Sequence, residues 1–193
     1  MYRFLHTILL TLLATTATLA QVSILGSATN PDNGHLYHIL TISTWTDAEA
    51  FAVSLGGHLV TINTVAENTW VTTNFSQFGG INRPIWLGLN DAAVEGSFVW
   101  TSGEAVTYTN WAPGEPNNSA GIENYAYINP PGNPPPNAWP TWNDFADFGQ
   151  CNGVVELASV PEPSSLALGG LISIGCAATC WYRTRTKNRC KKQ

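Results

Sequence analysis

The sequence predicts an α+β domain, with two helices followed by small antiparallel β-sheets. Two segments that begin near Thr46 and Thr64 have the pattern of a helix start, and both lie in the first half of the chain. Beyond them the helical period disappears, and short aromatic and β-branched runs alternate with Gly, Asn and Asp turns. Helices first and strands afterwards are typical of the α+β class.

The two predicted helices each begin with a capping box. In TDAEAFAVSLGG, Thr46 stands three residues before Glu49, and Gly56 can end the helix. In TVAENTWVTTNF, Thr64 and Glu67 repeat this arrangement. Helical spacing predicts that the second helix buries one face, which consists of Val65, Thr69, Trp70 and Phe75.

Five runs are predicted to contribute strands. They are HLVTI between the helices, and then PIWLGLND, SFVWTSGEAVTYTNW, NYAYI and NGVVEL. The segment NPPGNPPPNAWPT, residues 129–141, has too many prolines for regular structure and is predicted to be an extended surface loop.

Both ends of the chain differ in composition from residues 21–157, which are predicted to form the folded domain. Residues 1–20 have one early arginine, an apolar run and small residues before a cut after Ala20, the pattern of a secretory signal peptide. Near the other end an uncharged run, residues 164–182, is about long enough to cross a bilayer. The basic tail that follows it predicts a cytoplasmic end and an exported domain.

Charge and cysteine content restrict the function of the domain. Residues 21–160 carry twelve acidic side chains against a single basic one, Arg83, a formal charge of −11. Such a surface repels nucleic acid and attracts cations, so no nucleic-acid partner is expected. Cys151 is the only cysteine in this region, which excludes a disulfide within it.

The order of these pieces resembles the C-type lectin-like domain. The matching segments are AEAFAVSLGGHLVTI, AEN, IWLGLND, EGSFVWTSGEAVTYTNWAPGEPNN, EN at Glu123 and WND at Trp142. The resemblance implies a C-type lectin-like fold with a long calcium-binding loop region. It also implies two disulfides, but positions where the family has cysteine hold Ala52, Tyr125 and Val155.

The resemblance further implies a Ca²⁺ site. In sugar-binding members the Glu and Asn of EPN, a later Glu, and the Asn and Asp of WND coordinate one Ca²⁺ ion; the matching residues are Glu115, Asn117, Glu123, Asn143 and Asp144. Ca²⁺ prefers six to eight hard oxygen ligands, which agrees with three carboxylates and two amides plus two sugar hydroxyls. The family also has a cis peptide bond before the proline of EPN, here Pro116.

Further residues follow from the same resemblance. A second Ca²⁺ site found in some members matches Asp91, Glu95, Asn118 and Asn124, with amides at two positions where carboxylates are commoner. Sugar contacts are expected from Glu115, Asn117, Glu123 and Asn143. Trp139, in the proline-rich loop, is proposed as an exposed platform on which a sugar stacks, whereas Trp111 and Trp142 are expected in the core.

The C-terminal region, residues 158–193, resembles a second family, the PEP-CTERM sorting signals. Pro161, Glu162 and Pro163 are followed by the apolar span and the basic cluster. The resemblance implies a bacterium that makes an exopolysaccharide, and an exosortase, a membrane transpeptidase, that cuts near the tripeptide. The protein would then contact the membrane through this segment before processing. A permanent membrane anchor would have the same span and tail, so that alternative stays open.

These features leave three functions to compare: carbohydrate binding, a structural or adhesive role, and catalysis. Calcium-dependent carbohydrate binding of the mannose type, by an exported lectin-like protein of the cell envelope or exterior, agrees with all five ligand residues. A structural or adhesive surface protein could use the same fold without a sugar. His35 and His38 could hold a metal on one helical face in an enzyme, but their surroundings are strand-like, and no catalytic motif accompanies them. No enzymatic activity is therefore expected.

Overall fold

The structure, a computed structural model, describes residues 21–135 and 138–158, in which two helices accompany eight strands. The helices are α1 (Trp45–Ser54) and α2 (Val65–Phe75). The strands are β1 (Ile24–Thr29), β2 (Leu36–Ser43), β3 (His58–Leu59), β4 (Ile85–Asn90), β5 (Val99–Trp100), β6 (Tyr125–Ile128), β7 (Trp142–Phe145) and β8 (Cys151–Leu157). The α+β prediction is confirmed.

The strands form one mixed sheet in the order β1-β2-β8-β4-β6-β7, with β3 paired to β8 and β5 paired to β4. The prediction of small, purely antiparallel sheets is wrong, because β4 and β8 are parallel, with Trp86 opposite Gly153. A parallel pair requires a long connection. Here that connection is residues 91–150, which contain the loops of the candidate site.

Helix α1 begins two residues earlier than predicted. The side chain of Thr44, and not that of Thr46, caps the helix by accepting the backbone N–H of Asp47 at 3.2 Å. Glu49, the expected partner in the capping box, instead accepts the N–H of Leu59 at 2.8 Å. The end was predicted correctly, since Gly56 follows the helix with a φ of 84°.

Helix α2 has the predicted start but a different buried face. Thr64 accepts the N–H of Glu67 at 3.1 Å, as a capping residue does. The buried residues are Asn68, Val71, Thr72 and Phe75. Val65 is 65% exposed and Thr69 is exposed, so these two were assigned to the wrong face. Trp70 is partly buried against the core.

Two hydrophobic clusters form the core. One includes Val71 and Phe75 of α2, together with Trp142 and β4 residues such as Leu87. The other includes α1, with Trp45, Ala48 and Ala52, and Val155 of β8. Two of the positions where the family has cysteine, Ala52 and Val155, are therefore fully buried in one apolar cluster.

Cys151 is a buried free thiol, and its burial raises the pKa of the thiol well above its usual range. The predicted signal peptide, membrane span and sorting signal, which includes Pro161, Glu162 and Pro163, lie outside the described residues. Within the described part of the chain, no helix combines the length and apolar composition needed to cross a bilayer.

Candidate functional site

The segment EPN lies in a long loop that is held against β7. Between β5 and β6 the chain runs through residues 101–124 with a single short 3₁₀ turn, Ser119–Gly121. Two backbone hydrogen bonds hold this loop at Trp142, whose N–H donates to Asn110 O at 2.7 Å and whose carbonyl accepts from Ala112 N at 2.8 Å. The part of the loop just before EPN is thus fixed beside WND.

The proline-rich loop does not displace WND from EPN. Strand β6 pairs with β7 in continuous register, with Tyr127 opposite Asn143 and Ile128 opposite Trp142. Asn129 N donates to Thr141 O at 2.9 Å, which closes the loop at its base. The pairing of β6 with β7 is therefore intact up to the base of the insertion.

Asp144 is the buried centre of the candidate site. It is 1% exposed, and its two carboxylate oxygens accept the N–H groups of Asn117 at 3.1 Å and Asn118 at 2.8 Å. Glu123 accepts Ser119 N at 2.9 Å and donates its own N–H to Asn118 Oδ1 at 3.0 Å. The predicted cis bond is present between Glu115 and Pro116. We call Glu115, Asn117, Glu123, Asn143 and Asp144 the oxygen cluster.

Two oxygen atoms of the oxygen cluster are buried without a hydrogen-bond partner in the described part of the protein. They are Glu115 Oε2 and Asn143 Oδ1. Buried polar atoms in native proteins are almost always hydrogen-bonded, so each such atom requires an explanation. An oxygen acceptor without a donor is available to a cation.

The carboxylates of the oxygen cluster also repel one another. Burial raises the pKa of Glu115 above its ordinary value, and the charges of Asp144 and Glu123 raise it further. Burial likewise raises the pKa of Glu123, and the charge of Asp144 adds to this effect. A positive charge among these groups would relieve the repulsion, since an opposite charge nearby favours the ionised form.

The oxygen cluster offers carboxylate and amide oxygens, which are the kinds of ligand that Ca²⁺ binds. Within residues 21–135 and 138–158, no three His, Cys, Asp or Glu side chains lie close enough to hold a metal ion by themselves. Two of the five side chains of the oxygen cluster, Asn117 and Asn143, carry amide oxygens instead. Ca²⁺ commonly takes carboxylate, amide and backbone oxygens together in one flexible shell, so a mixed set is typical of its sites.

The residues of the predicted second site lie beside the first. Asp91 is 2% exposed; its Oδ2 accepts Gly96 N at 2.8 Å, while its Oδ1 is buried without a hydrogen-bond partner among the described residues. Asp91 N donates to Asn124 O at 3.1 Å, which joins the two loops. Glu95 is exposed, and Asn118 already uses its Oδ1 to accept Glu123 N.

The remaining predicted residues have different surroundings. Trp139 is 41% exposed, as a stacking platform requires, and Trp142 is fully buried as expected, with the ring of Trp111 packed on it at 5.9 Å. His35 and His38 do not share a metal site: Nδ1 of His35 contacts Glu156 Oε1 at 2.7 Å, and that of His38 contacts Ser27 Oγ at 2.6 Å. The strand-like surroundings expected for these histidines are confirmed for His38, which lies in β2.

Two residues that sequence reasoning missed support the site. Asn68 of α2 accepts the indole N–H of Trp142 at 2.8 Å, and both residues are buried. Tyr127 accepts a hydrogen bond from Asn143 Nδ2 at 3.4 Å. Asn68 is the last residue of the AEN segment, but its contact with Trp142 has no local signature, and no local pattern indicated Tyr127.

The fold and the site together define an α+β domain that presents an oxygen-rich loop surface. Comparison with known proteins identifies the family of this domain. The Lectin C-type domain family matches residues 41–154, more than half of the chain, and the chain belongs to that family.

Similar proteins include Lectin BRA-3 of Megabalanus rosa, 35% identical over 100 residues, which are 48% of this chain and 59% of that protein. The α-N-acetylgalactosamine-specific lectin of Patiria pectinifera is 38% identical over 96 residues, 45% of this chain and 55% of that protein. The crystal structure of the C-type lectin CEL-I from Cucumaria echinata aligns with a TM-score of 0.61 and 27% identity, over 69% of this chain and 96% of that one.

The chain spans less than two thirds of the length of the curated relatives it matches. Each of these three relatives is described as a lectin.

Proposed function

We propose that this protein binds carbohydrate through a Ca²⁺ ion held by the oxygen cluster. The observation that carries the proposal is a pair of buried oxygens that have no hydrogen-bond partner among the described residues, Glu115 Oε2 and Asn143 Oδ1, beside the carboxylates of Glu123 and Asp144. A bound Ca²⁺ would supply two coordination positions for vicinal sugar hydroxyls. The protein's own part is to orient oxygens toward the ion and hydrogen-bonding groups toward the sugar.

Four more residues are proposed for a second, weaker Ca²⁺ site: Asp91, Glu95, Asn118 and Asn124. The unpartnered Oδ1 of buried Asp91 supports it. Two of the four side chains are neutral amides, and fewer negative ligands mean weaker binding. We expect this site to fill at higher Ca²⁺ concentration than the oxygen cluster.

The proposed sugar class is mannose-type, with equatorial 3- and 4-hydroxyls. In the family, EPN accompanies mannose, glucose and fucose, whereas QPD accompanies galactose. Each hydroxyl on the ion donates to a carboxylate and accepts from an amide, so the order of acid and amide fixes the preferred hydroxyl geometry. Glu115 and Asn117 would supply the acceptor and the donor, Glu123 and Asn143 would contact the second hydroxyl, and Trp139 would stack on a further part of the glycan.

Calcium dependence can be tested by unfolding the purified protein with Ca²⁺ and with chelator. Binding to the folded form alone should add about 2.7 kcal/mol to the free energy of unfolding at a hundredfold excess over Kd. Glu115→Gln should reduce this increment. The matched control is Glu104→Gln, because Glu104 is an exposed glutamate outside the oxygen cluster. A thermal midpoint that chelator leaves unchanged would show that the oxygen cluster is not a metal site.

Sugar binding is tested on a glycan array with Ca²⁺ and with chelator, followed by monosaccharide competition. Mannose should compete with millimolar affinity, about −4 kcal/mol, and many copies would be needed for firm attachment to a surface glycan or exopolysaccharide. The double change Glu115→Gln with Asn117→Asp should retain Ca²⁺ but weaken mannose relative to galactose. Galactose preference in the wild type contradicts the specificity. No competition by any sugar favours the adhesive alternative.

We further propose that the protein is exported and reaches the cell envelope or exterior, anchored in the membrane at least transiently. The proposal is supported by the sequence of residues 1–20 and by Pro161, Glu162 and Pro163 before the apolar run. In a host with the sorting enzyme, Glu162→Ala should leave a longer, membrane-bound form. Intact mass that still includes residues 183–193 in the native protein would favour a permanent anchor.

A further inference from the structure

The hydroxyl of Tyr127 lies next to the oxygen cluster without being one of the proposed ligands. Tyr127 of β6 is directly opposite Asn143 of β7, and directly opposed residues of paired strands lie on one face of the sheet. Asn143 Nδ2 donates to the Tyr127 hydroxyl at 3.4 Å. Each residue is thus the nearest cross-strand neighbour of the other.

This contact fixes the direction of the Asn143 amide. The acceptor oxygen and the NH₂ group of an asparagine amide lie in one plane, on opposite sides of the Cβ–Cγ axis, so fixing the nitrogen also fixes the oxygen. Asn143 Oδ1 is buried and, within the described residues, has no hydrogen-bond partner. The nitrogen is therefore committed to the phenol, and the oxygen is left for another ligand.

The Tyr127 side chain is itself firmly held. Its ring packs against the edge of Trp86 at 6.0 Å and against Phe145 at 5.7 Å. Trp86 is fully buried, and its indole N–H donates to Ser43 O at 3.1 Å. A phenol between two such neighbours has little freedom to follow the amide, so the amide must adjust to the phenol.

We propose that Tyr127 is a positioning residue of the oxygen cluster. Its hydroxyl sets the Asn143 amide so that Oδ1 faces a divalent cation and the second N–H of Nδ2 faces a sugar hydroxyl. This inference rests on the proposed function, because it assigns a role to Tyr127 only if the oxygen cluster binds an ion. Tyr127 contributes no ligand atom and acts through Asn143 alone.

The test is Tyr127→Phe, with Ca²⁺ affinity measured by calorimetry and the thermal midpoint measured in chelator. The variant keeps the ring between Trp86 and Phe145 and removes only the hydroxyl. Loss of a group that orients a ligand should raise the Kd for Ca²⁺ about tenfold. The midpoint in chelator should stay unchanged. Tyr125→Phe is the matched control, since it removes a hydroxyl from the same strand, where the Tyr125 ring packs on Trp45 at 4.5 Å.

A second pair of variants separates orientation from packing. In an Asn143→Asp background the two side-chain oxygens are equivalent, so there is no amide direction left to set. Adding Tyr127→Phe to that background should then change the Kd for Ca²⁺ less than it does in the wild type. An equal change in both backgrounds would contradict the proposed role.

The outcomes distinguish this inference from the function on which it rests. If the wild type binds no Ca²⁺, the proposed function fails, and the role of Tyr127 fails with it. If the wild type binds Ca²⁺ and Tyr127→Phe binds it equally well, only the positioning role is overturned. A lower midpoint in chelator would also overturn it, because the hydroxyl would then stabilise the fold rather than orient a ligand.

Discussion

Replacing Asn68 by alanine should destabilise the protein even without Ca²⁺. Asn68 Oδ1 accepts the indole N–H of Trp142 at 2.8 Å, and the two residues are 3% and 0% exposed. Alanine removes the acceptor and leaves a buried N–H unpaired, which costs about 1–3 kcal/mol. The higher helix propensity of alanine offsets about 0.5 kcal/mol of this cost.

The expected net loss is about 1.5 kcal/mol in the free energy of unfolding, which corresponds to about 5 °C in the thermal midpoint of a domain of this size. It should be measured by urea unfolding in chelator, so that ion binding does not contribute. Asn74→Ala is the matched control, because Asn74 is an exposed asparagine of the same helix that donates to Trp70 O at 2.8 Å. Its effect should stay within about 0.5 kcal/mol.

The result that would refute this reasoning is a loss for Asn68→Ala that matches the loss for Asn74→Ala. The hydrogen bond between α2 and β7 would then contribute nothing measurable. A large loss of stability in both variants would indicate that these asparagines stabilise α2 through contacts with the helix backbone, and not through Trp142. Only a selective loss in Asn68→Ala supports the role assigned to Trp142.

Two further predictions concern charge. Because the pKa of Glu115 is raised in the folded, Ca²⁺-free protein, its carboxyl keeps a proton to higher pH than in the unfolded chain, and stability should fall as pH rises from about 4.5 through the raised pKa. Glu115→Gln should flatten that slope in chelator; an identical pH profile contradicts it. Asp147 accepts Thr46 N at 3.0 Å and Thr46 Oγ1 at 2.7 Å, at the start of α1. Asp147→Asn should therefore cost about 1 kcal/mol by urea unfolding, and no loss would show that this cap is unimportant.

The start of α1 shows why sequence patterns alone chose the wrong cap. Thr44 and Thr46 each stand three residues before an acidic residue, Asp47 and Glu49, so both pairs satisfy the local pattern. Two tertiary contacts decide between them. The indole of Trp45 donates to Leu87 O at 2.7 Å, and Thr46 N donates to Asp147, about a hundred residues along the chain. Neither contact has a local signature.

The residues of the oxygen cluster could be proposed from the sequence, whereas the residues that support them could not. The segments EPN, EN and WND follow one another in the same order as in the family. From this order we could predict that the residues of the oxygen cluster lie near one another. The direction of the Asn143 amide depends on Tyr127, which is a neighbour only through the register of β6 and β7. The parallel pairing of β4 with β8 was likewise hidden, since short β-branched runs look alike whether their neighbours are parallel or antiparallel.

Trp142 connects the stability of the domain to its proposed ligand. Its indole is bound to α2 through Asn68, and its backbone is bound to the long loop through Asn110 and Ala112. The next two residues, Asn143 and Asp144, belong to the oxygen cluster. Any change that lets Trp142 shift must therefore move these two side chains relative to Glu115, which lies three residues after Ala112. Under the proposed function, Asn68→Ala should weaken Ca²⁺ binding as well as the fold, although Asn68 contributes no ligand atom. A domain in which apolar Ala52 and Val155 stand at positions where the family has cysteine depends on such internal contacts to hold its loops in place.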